Sequence, residues 1–155
     1  MKKTLFGTFL ALTLIFAAGA IHQTNAQDIS GSIGAVKRGG SGRGTIVMSV
    51  PDGLHVNSSR PNSRYAIPTT VKISAVGAKV GGLSYPRGRN RKFAFSEDTL
   101  NVYEGRTAFG FNVGVPANFK GSTVKVRAVV RYQACTNEVC YPPKTKEITL
   151  TAQVK

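Results

Sequence analysis

Residues 122–134 read STVKVRAVVRYQA, and their alternation decides the fold. Val124, Val126, Ala128, Val130, Tyr132 and Ala134 fall on one face of an extended chain, while Lys125, Arg127, Val129, Arg131, Gln133 and Cys135 fall on the other. Successive side chains of a strand point to opposite faces, so the first set faces the core and the charged set faces water. The same parity points Cys135 away from the main core. Residues 146–154, KEITLTAQV, repeat the pattern with Ile148, Leu150, Ala152 and Val154 inward and Glu147, Thr149, Thr151 and Gln153 outward. The two strands suit an antiparallel hairpin with the cysteines near its connecting loop.

Upstream, TIVMSV (Thr45 to Val50) is a strand ended by the turn signal Pro51-Asp52-Gly53, and LHVNSS (Leu54 to Ser59) resumes an extended run. PTTVKISAV (Pro68 to Val76), RKFAF (Arg91 to Phe95) and TAFGFNVGV (Thr107 to Val115) are further strands. Short alternating strands with Gly and Pro between them indicate an all-β sandwich or barrel. No internal repeat and no linker between two domains is visible.

The N-terminus is of a different kind. Met1 to Lys3 is a short basic start, and LFGTFLALTLIFAA (Leu5 to Ala18) is an uncharged apolar run. It is shorter than the about 20 apolar residues of a membrane helix. Residues 1–26 are expected to form a secretory signal peptide, with small residues placed for cleavage after Ala26 or Ala20. An uncleaved anchor is the alternative; otherwise the exported chain has no membrane span. Cleavage after Ala26 removes 26 of 155 residues and leaves one domain, 27–155, long enough to bury a core. Losing Lys2 and Lys3 takes the formal charge from +14 to +12, which favours acidic partners or an anionic surface. KRGGSGRG (Lys37 to Gly44) faintly resembles a nucleic-acid-binding tract, but export and the lack of aromatics within it argue against a nucleic-acid partner.

The chain has two cysteines, Cys135 and Cys140, in YQACTNEVCYPP (Tyr132 to Pro143). In an exported chain they are able to pair. Three chemistries compete for them. A metal clip needs about four ligands, and His22 and His55 supply too few, so neither metal nor cofactor is expected. A structural staple gains little here, because closing about six residues is worth on the order of 2 kcal/mol against nearly 5 for a long loop. A redox pair needs two cysteines close enough to bridge at a Cα separation of about 5.5 Å and open to attack. A four-residue hairpin loop meets the distance, and Pro142 and Pro143 end regular strand pairing just after Cys140. Glu138, between the cysteines, disfavours a thiolate and so makes the reduced pair selective for a docked partner.

YQACTNEVCYPPKTKEITL resembles the active-site hairpin of the N-terminal domain family of the thiol:disulfide interchange protein DsbD. LHVNSSRPNSRYAIPTTVKIS (Leu54 to Ser74), VGGLSYP (Val80 to Pro86) and NVYEG (Asn101 to Gly105) are similar to further segments of that family. The resemblance implies an immunoglobulin-like antiparallel β-sandwich in the periplasm. It implies electron transfer through Cys135 and Cys140, with Cys140 the point of mixed-disulfide formation. A thioredoxin-like domain or membrane electron relay would be the donor, and periplasmic thiol-disulfide proteins the acceptors. CTNEVC has one residue fewer between its cysteines than the familiar enterobacterial form. Neither relay nor thioredoxin-like domain lies in the 155 residues, so a stand-alone module with a separate donor is expected.

That family also has a cap loop whose aromatic residue shields the pair until a partner docks. RKFAFSEDTL (Arg91 to Leu100) lies where this loop should be, with Phe93 and Phe95 as shields and Glu97 acting beside Glu138 on the thiols. The bland reading makes both phenylalanines ordinary strand or core residues and His55 a strand histidine with a satisfied hydrogen bond. Tyr132 points to the core, and Tyr141 is either shield or docking surface. Arg87, Arg89, Arg91 and Lys92 form a basic loop, solvated or steering an acidic thioredoxin-like partner. A noncatalytic immunoglobulin-like binding domain with a structural disulfide stands as the alternative function. Serine-histidine-acid catalysis has no support, since His55 has no evident acidic partner in the sequence.

Overall fold

The computed structural model describes residues 27–155; the expected signal peptide, with His22, lies outside the described residues. The described residues contain strands and turns and no helix. The strands in chain order are β1 (Asp28–Ile33), β2 (Ser41–Ser49), β3 (His55–Asn57), β4 (Thr70–Ala75), β5 (Lys79–Ser84) and β6 (Arg89–Lys92). They continue with β7 (Thr99–Tyr103), β8 (Arg106–Gly114), β9 (Thr123–Tyr132), β10 (Ala134–Cys135) and β11 (Lys144–Gln153). They form antiparallel sheets in the orders β1-β2-β8-β5, β10-β3-β7-β6 and β11-β9-β4.

The fold is an immunoglobulin-like β-sandwich. Its main core lies between Ile46, Met48, Phe109, Phe111 and Val113 on one side and Val124, Val126, Ala128, Val130 and Leu150 on the other. The residues that alternation assigned inward on β9 are buried and the charged set is exposed. β9 and β11 pair from Thr123 opposite Gln153 to Tyr132 opposite Lys144, the hairpin that parity suggested. On β2, Gly44 is the one residue the core tolerates opposite Phe111. A Cβ there would lie 2.2 Å from the Phe111 ring, so the aromatic ring fills the space a side chain would need.

Three strands were not legible. β1 reads DISGSI, β5 reads KVGGLS and β7 reads TLNVY, and glycine pairs or short polar-apolar runs blur their period. β6 ends at Lys92, so Phe93 to Asp98 is a loop between β6 and β7 rather than the strand end expected at Phe95.

The largest departure concerns Cys135. β9 stops at Tyr132, and after Gln133 the chain joins a different sheet as β10, with Ala134 opposite Val56 and Cys135 opposite His55. Ala134 belongs to the main core and Cys135 does not, which keeps the parity. Yet Cys135 is fully buried rather than wet, because at this end of the sandwich the outer face is itself covered. A second small core of Phe93, Leu100 and Val102, with Ala66 against it, lies there.

Candidate functional site

Cys135 and Cys140 are joined by a disulfide, with Cα atoms 4.0 Å apart. The closeness follows from strand pairing. Tyr141 N–H donates to Ala134 O (2.9 Å) and Thr136 N–H to Val139 O (2.8 Å), and Cys135 faces Cys140 between these two bonds. The cysteines are therefore a non-hydrogen-bonded antiparallel pair, the position where Cα atoms approach to about 4.5 Å. Thr136 Oγ1 closes the turn by accepting from the N–H groups of Glu138 and Val139, each at 3.1 Å. Glu138 is exposed in that turn. The chain leaves through Tyr141, Pro142 and Pro143 without strand structure and resumes at Lys144.

Gln133 holds the hairpin to the rest of the domain. Its Oε1 accepts from Asn57 Nδ2 (3.1 Å) and from the Ile67 N–H (3.4 Å), and its Nε2 donates to Tyr141 O (3.2 Å). Asn57 Nδ2 also donates to Ile67 O (3.1 Å). Where strand order is interrupted between β9 and β10, a side-chain amide thus ties β3, the segment entering β4 and the exit from Cys140.

The two sulfurs differ in exposure. Cys135 has no accessible surface, whereas Cys140 is half-buried and lines a cleft of about 850 Å³. One wall is Asn62 to Ala66, with Tyr65 78% exposed and the Arg64 guanidinium over its ring. The other wall is the 95–98 loop, including Phe95 and Glu97, with Asn57 and Gln133 also lining the cleft. Tyr141 and Val139 are partly exposed on the same hairpin.

The loop between β6 and β7 packs on His55, the cross-strand neighbour of the buried member of the pair. Phe93 stacks on His55 with ring centroids 4.0 Å apart and planes 10° from parallel, and Phe95 stacks on Phe93 at 5.4 Å. His55 is the cross-strand neighbour of Cys135, and such neighbours share a face with Cβ atoms about 5 Å apart. Phe93 is buried and Phe95 is 38% exposed, so the stack runs from the strand beside Cys135 out to solvent. The two phenylalanines thus divide between buried packing and the rim of the cleft.

His55 departs from the expectation of a satisfied strand histidine: it is buried, and its Nε2 has no hydrogen-bond partner among the described residues. It also has an acidic neighbour that the sequence hid. The register Val56 to Tyr103, continued by one residue, sets His55 against Glu104, and both line a small cleft with Asp52 and Asn137. Burial pushes the imidazole below its ordinary pKa, and Glu104 pulls less strongly upward. Glu104 is held below the usual carboxylate range chiefly by its hydrogen bond from Arg91, the pair lying 2.9 Å apart. Arg89, Arg91 and Lys92 lie on β6 rather than in a basic loop; Arg91 is paired with Glu104, and Lys92 Nζ donates to Glu97 O. Arg87 and Arg89 are exposed. Tyr132 is in the main core, as parity placed it, with its hydroxyl buried and its pKa pushed up by burial.

A bonded cysteine pair in a hairpin at the end of an immunoglobulin-like sandwich, one sulfur sealed and one on a cleft, defines a class of disulfide-bearing β modules. The family described as "Thiol:disulfide interchange protein DsbD, N-terminal" matches residues 30–152, and the chain belongs to that family. Among solved structures, it is similar to the N-terminal periplasmic domain of ScsB from Proteus mirabilis, with a TM-score of 0.54 and 10% identity over 86% of this chain. The match covers 48% of that domain's chain, so this chain spans about half its length. The yeast GGA1 GAE domain gives a TM-score of 0.45 at 12% identity, over 87% of this chain and 96% of that one. No curated protein matches the chain. Among the described residues no helix is long and apolar enough to cross a membrane.

Proposed function

We propose that the chain is an exported, periplasmic thiol:disulfide exchange module, led out by residues 1–26 and working through Cys135 and Cys140. The observation that carries this reading is the asymmetry of the pair: Cys140 lines an open cleft while Cys135 is sealed. A donor thiolate attacks Cys140 Sγ, forms a mixed disulfide and expels Cys135 as thiolate, which takes up a proton. The donor's second thiol then attacks its own sulfur in the mixed disulfide. The donor leaves as a disulfide, and this chain keeps two thiols and two electrons. Delivery to an acceptor disulfide is the reverse, with Cys140 attacking and Cys135 resolving. The donor is a thioredoxin-like domain or a membrane relay, and the acceptors are periplasmic thiol-disulfide proteins. Phe95, Glu97 and Tyr141 border the approach to Cys140, Glu138 sits in the turn beside it, and Phe93 covers the strand beside Cys135.

The test is a reduction potential combined with trapping. Structural disulfides typically lie below about −300 mV and exchange-active ones above. The bond should open in a glutathione buffer poised well below about −250 mV, and Cys135→Ala should trap a thioredoxin-like partner through Cys140 far better than Cys140→Ala traps it through Cys135. A bond that resists both the buffer and a reduced thioredoxin-like protein would leave a noncatalytic binding domain with a structural disulfide. Equal trapping by the two variants would remove the role of Cys140 as the attacked sulfur.

A further inference from the structure

The cap and the cysteines meet at one residue, His55. Its ring lies flat beneath Phe93, its backbone stands opposite Cys135, and its Nε2 is buried without a partner among the described residues. A buried polar atom left unpaired is costly and calls for an explanation. Phe95, 6.4 Å from the imidazole and 2° from parallel to it, completes a three-ring stack reaching the surface. An ordinary core position would be filled by an apolar ring without the orphaned nitrogen.

We propose that His55 is a positioning residue for thiol exchange: the neutral imidazole pins the Phe93–Phe95 cap, whose outer end forms a wall of the Cys140 cleft, and its protonation releases the cap. The inference rests on the exchange reading and adds to it a named residue that sets how wide the approach to Cys140 stands. A neutral imidazole stacks against a phenyl ring in a dry site at little cost, whereas an imidazolium there has lost its water. When the cap lifts, the ring is hydrated and Nε2 gains a water partner.

The charged groups around the ring set the sign. Glu104, continuing from β7, faces His55 and favours the cation, and Asp52 of the β2–β3 turn lines the same small cleft. Arg91 and Arg89 of β6 act on Glu104, and so weaken its pull. Cys135 on β10 is bonded and does not titrate. Asn137 of the hairpin is neutral, and the cap presents Phe93 and Phe95, while Glu97 and Asp98 line the other cleft. Burial outweighs Glu104 in the closed state, so the closed-state titration lies below the ordinary value and the open-state titration near or above it. The closed cap is thus fully favoured above the open-state value and loses stability as pH falls through it toward the closed-state value. Acid opens the cap.

Two measurements test this. In the whole protein, the histidine resonance lost on His55→Phe identifies His55, and its NMR titration midpoint should rise when the cap is removed by Phe93→Ala. Phe95→Ala serves if that variant does not fold. Separately, the rate of disulfide opening by dithiothreitol should be compared between wild type and His55→Phe, so that the reagent's own ionisation cancels in the ratio. That ratio should rise by about threefold or more between pH 7.5 and pH 5.5. An unchanged midpoint in the cap variants, or a ratio flat with pH, would overturn the proposal. If dithiothreitol opened neither protein at any pH, the exchange reading would fall, while the midpoint, which needs no reduction, would still decide whether His55 and the cap are coupled.

Discussion

Replacing Gln133 with alanine should loosen the cysteine hairpin from the domain without unfolding it. The side chain makes contacts of 3.1 Å to Asn57, 3.4 Å to Ile67 and 3.2 Å to Tyr141. At about 1 kcal/mol for a well-formed bond, and less for the long one, their loss amounts to roughly 2–3 kcal/mol. Asn57 Nδ2 retains Ile67 O, while the half-buried Ile67 N–H loses its acceptor through a bond that is already long. For a domain of this size such a loss lowers Tm by about 10 °C. Urea unfolding of the oxidised protein should show a shifted midpoint with an unchanged slope, since the surface exposed on unfolding is the same. A double-mutant cycle with Asn57→Ala should give a coupling of about 1 kcal/mol for the shared bond. A loss well under 1 kcal/mol, or zero coupling, would refute the assignment of Gln133 as the tie between β3 and the hairpin.

Gly44→Ala should destabilise the fold by about 1–3 kcal/mol or prevent folding, because its Cβ would enter the Phe111 ring; thermal melting checks it, and pairing with Phe111→Leu should recover part of the loss. Replacing both cysteines with serine should cost only about 2 kcal/mol and leave a folded domain, as the closed loop is short; circular dichroism with urea titration reads this. Glu104→Gln tests the acid side: Arg91 depresses the native carboxyl, so its contribution is present above the unfolded value of about 4.3 and is lost as pH falls through the native one. Wild-type and Glu104→Gln melting temperatures should therefore converge as pH drops below that window. The same variant should lower the titration midpoint of His55, because it removes the carboxylate that raises it.

Much of the frame is legible because β9 and β11 are one-sided strands. Their inward residues alternate without interruption through the ten residues of β9 and from Lys146 to Gln153 in β11, which identifies the sandwich and places the cysteines at the loop of a hairpin. The same rule misleads at Cys135. Parity tells the two faces of a strand apart but cannot say that a distant loop covers the outer one. Phe93 and Phe95 are visible as aromatics, yet their stacking on His55 depends on pairing between segments about 40 residues apart in the chain. Glu104 is hidden for the same reason. It becomes a neighbour of His55 only through the β3–β7 register. Gln133 reads as an outward strand residue because the alternation from Tyr132 to Cys135 is unbroken and nothing local marks the change of sheets.

The crossing of the chain from one sheet to another at Gln133 has a consequence for how such modules diversify. β9 is paired with β4 up to Arg131 and with β11 up to Tyr132, and the exit from Cys140 is held at Tyr141. Between these two fixed points the cysteines enclose only Thr136 to Val139, a turn that closes on its own threonine. Those four residues form a cassette. Its length, charge and turn type can change while the scaffold on either side stays as it is, so the chemistry of the cysteines can drift between lineages without the sandwich having to be rebuilt.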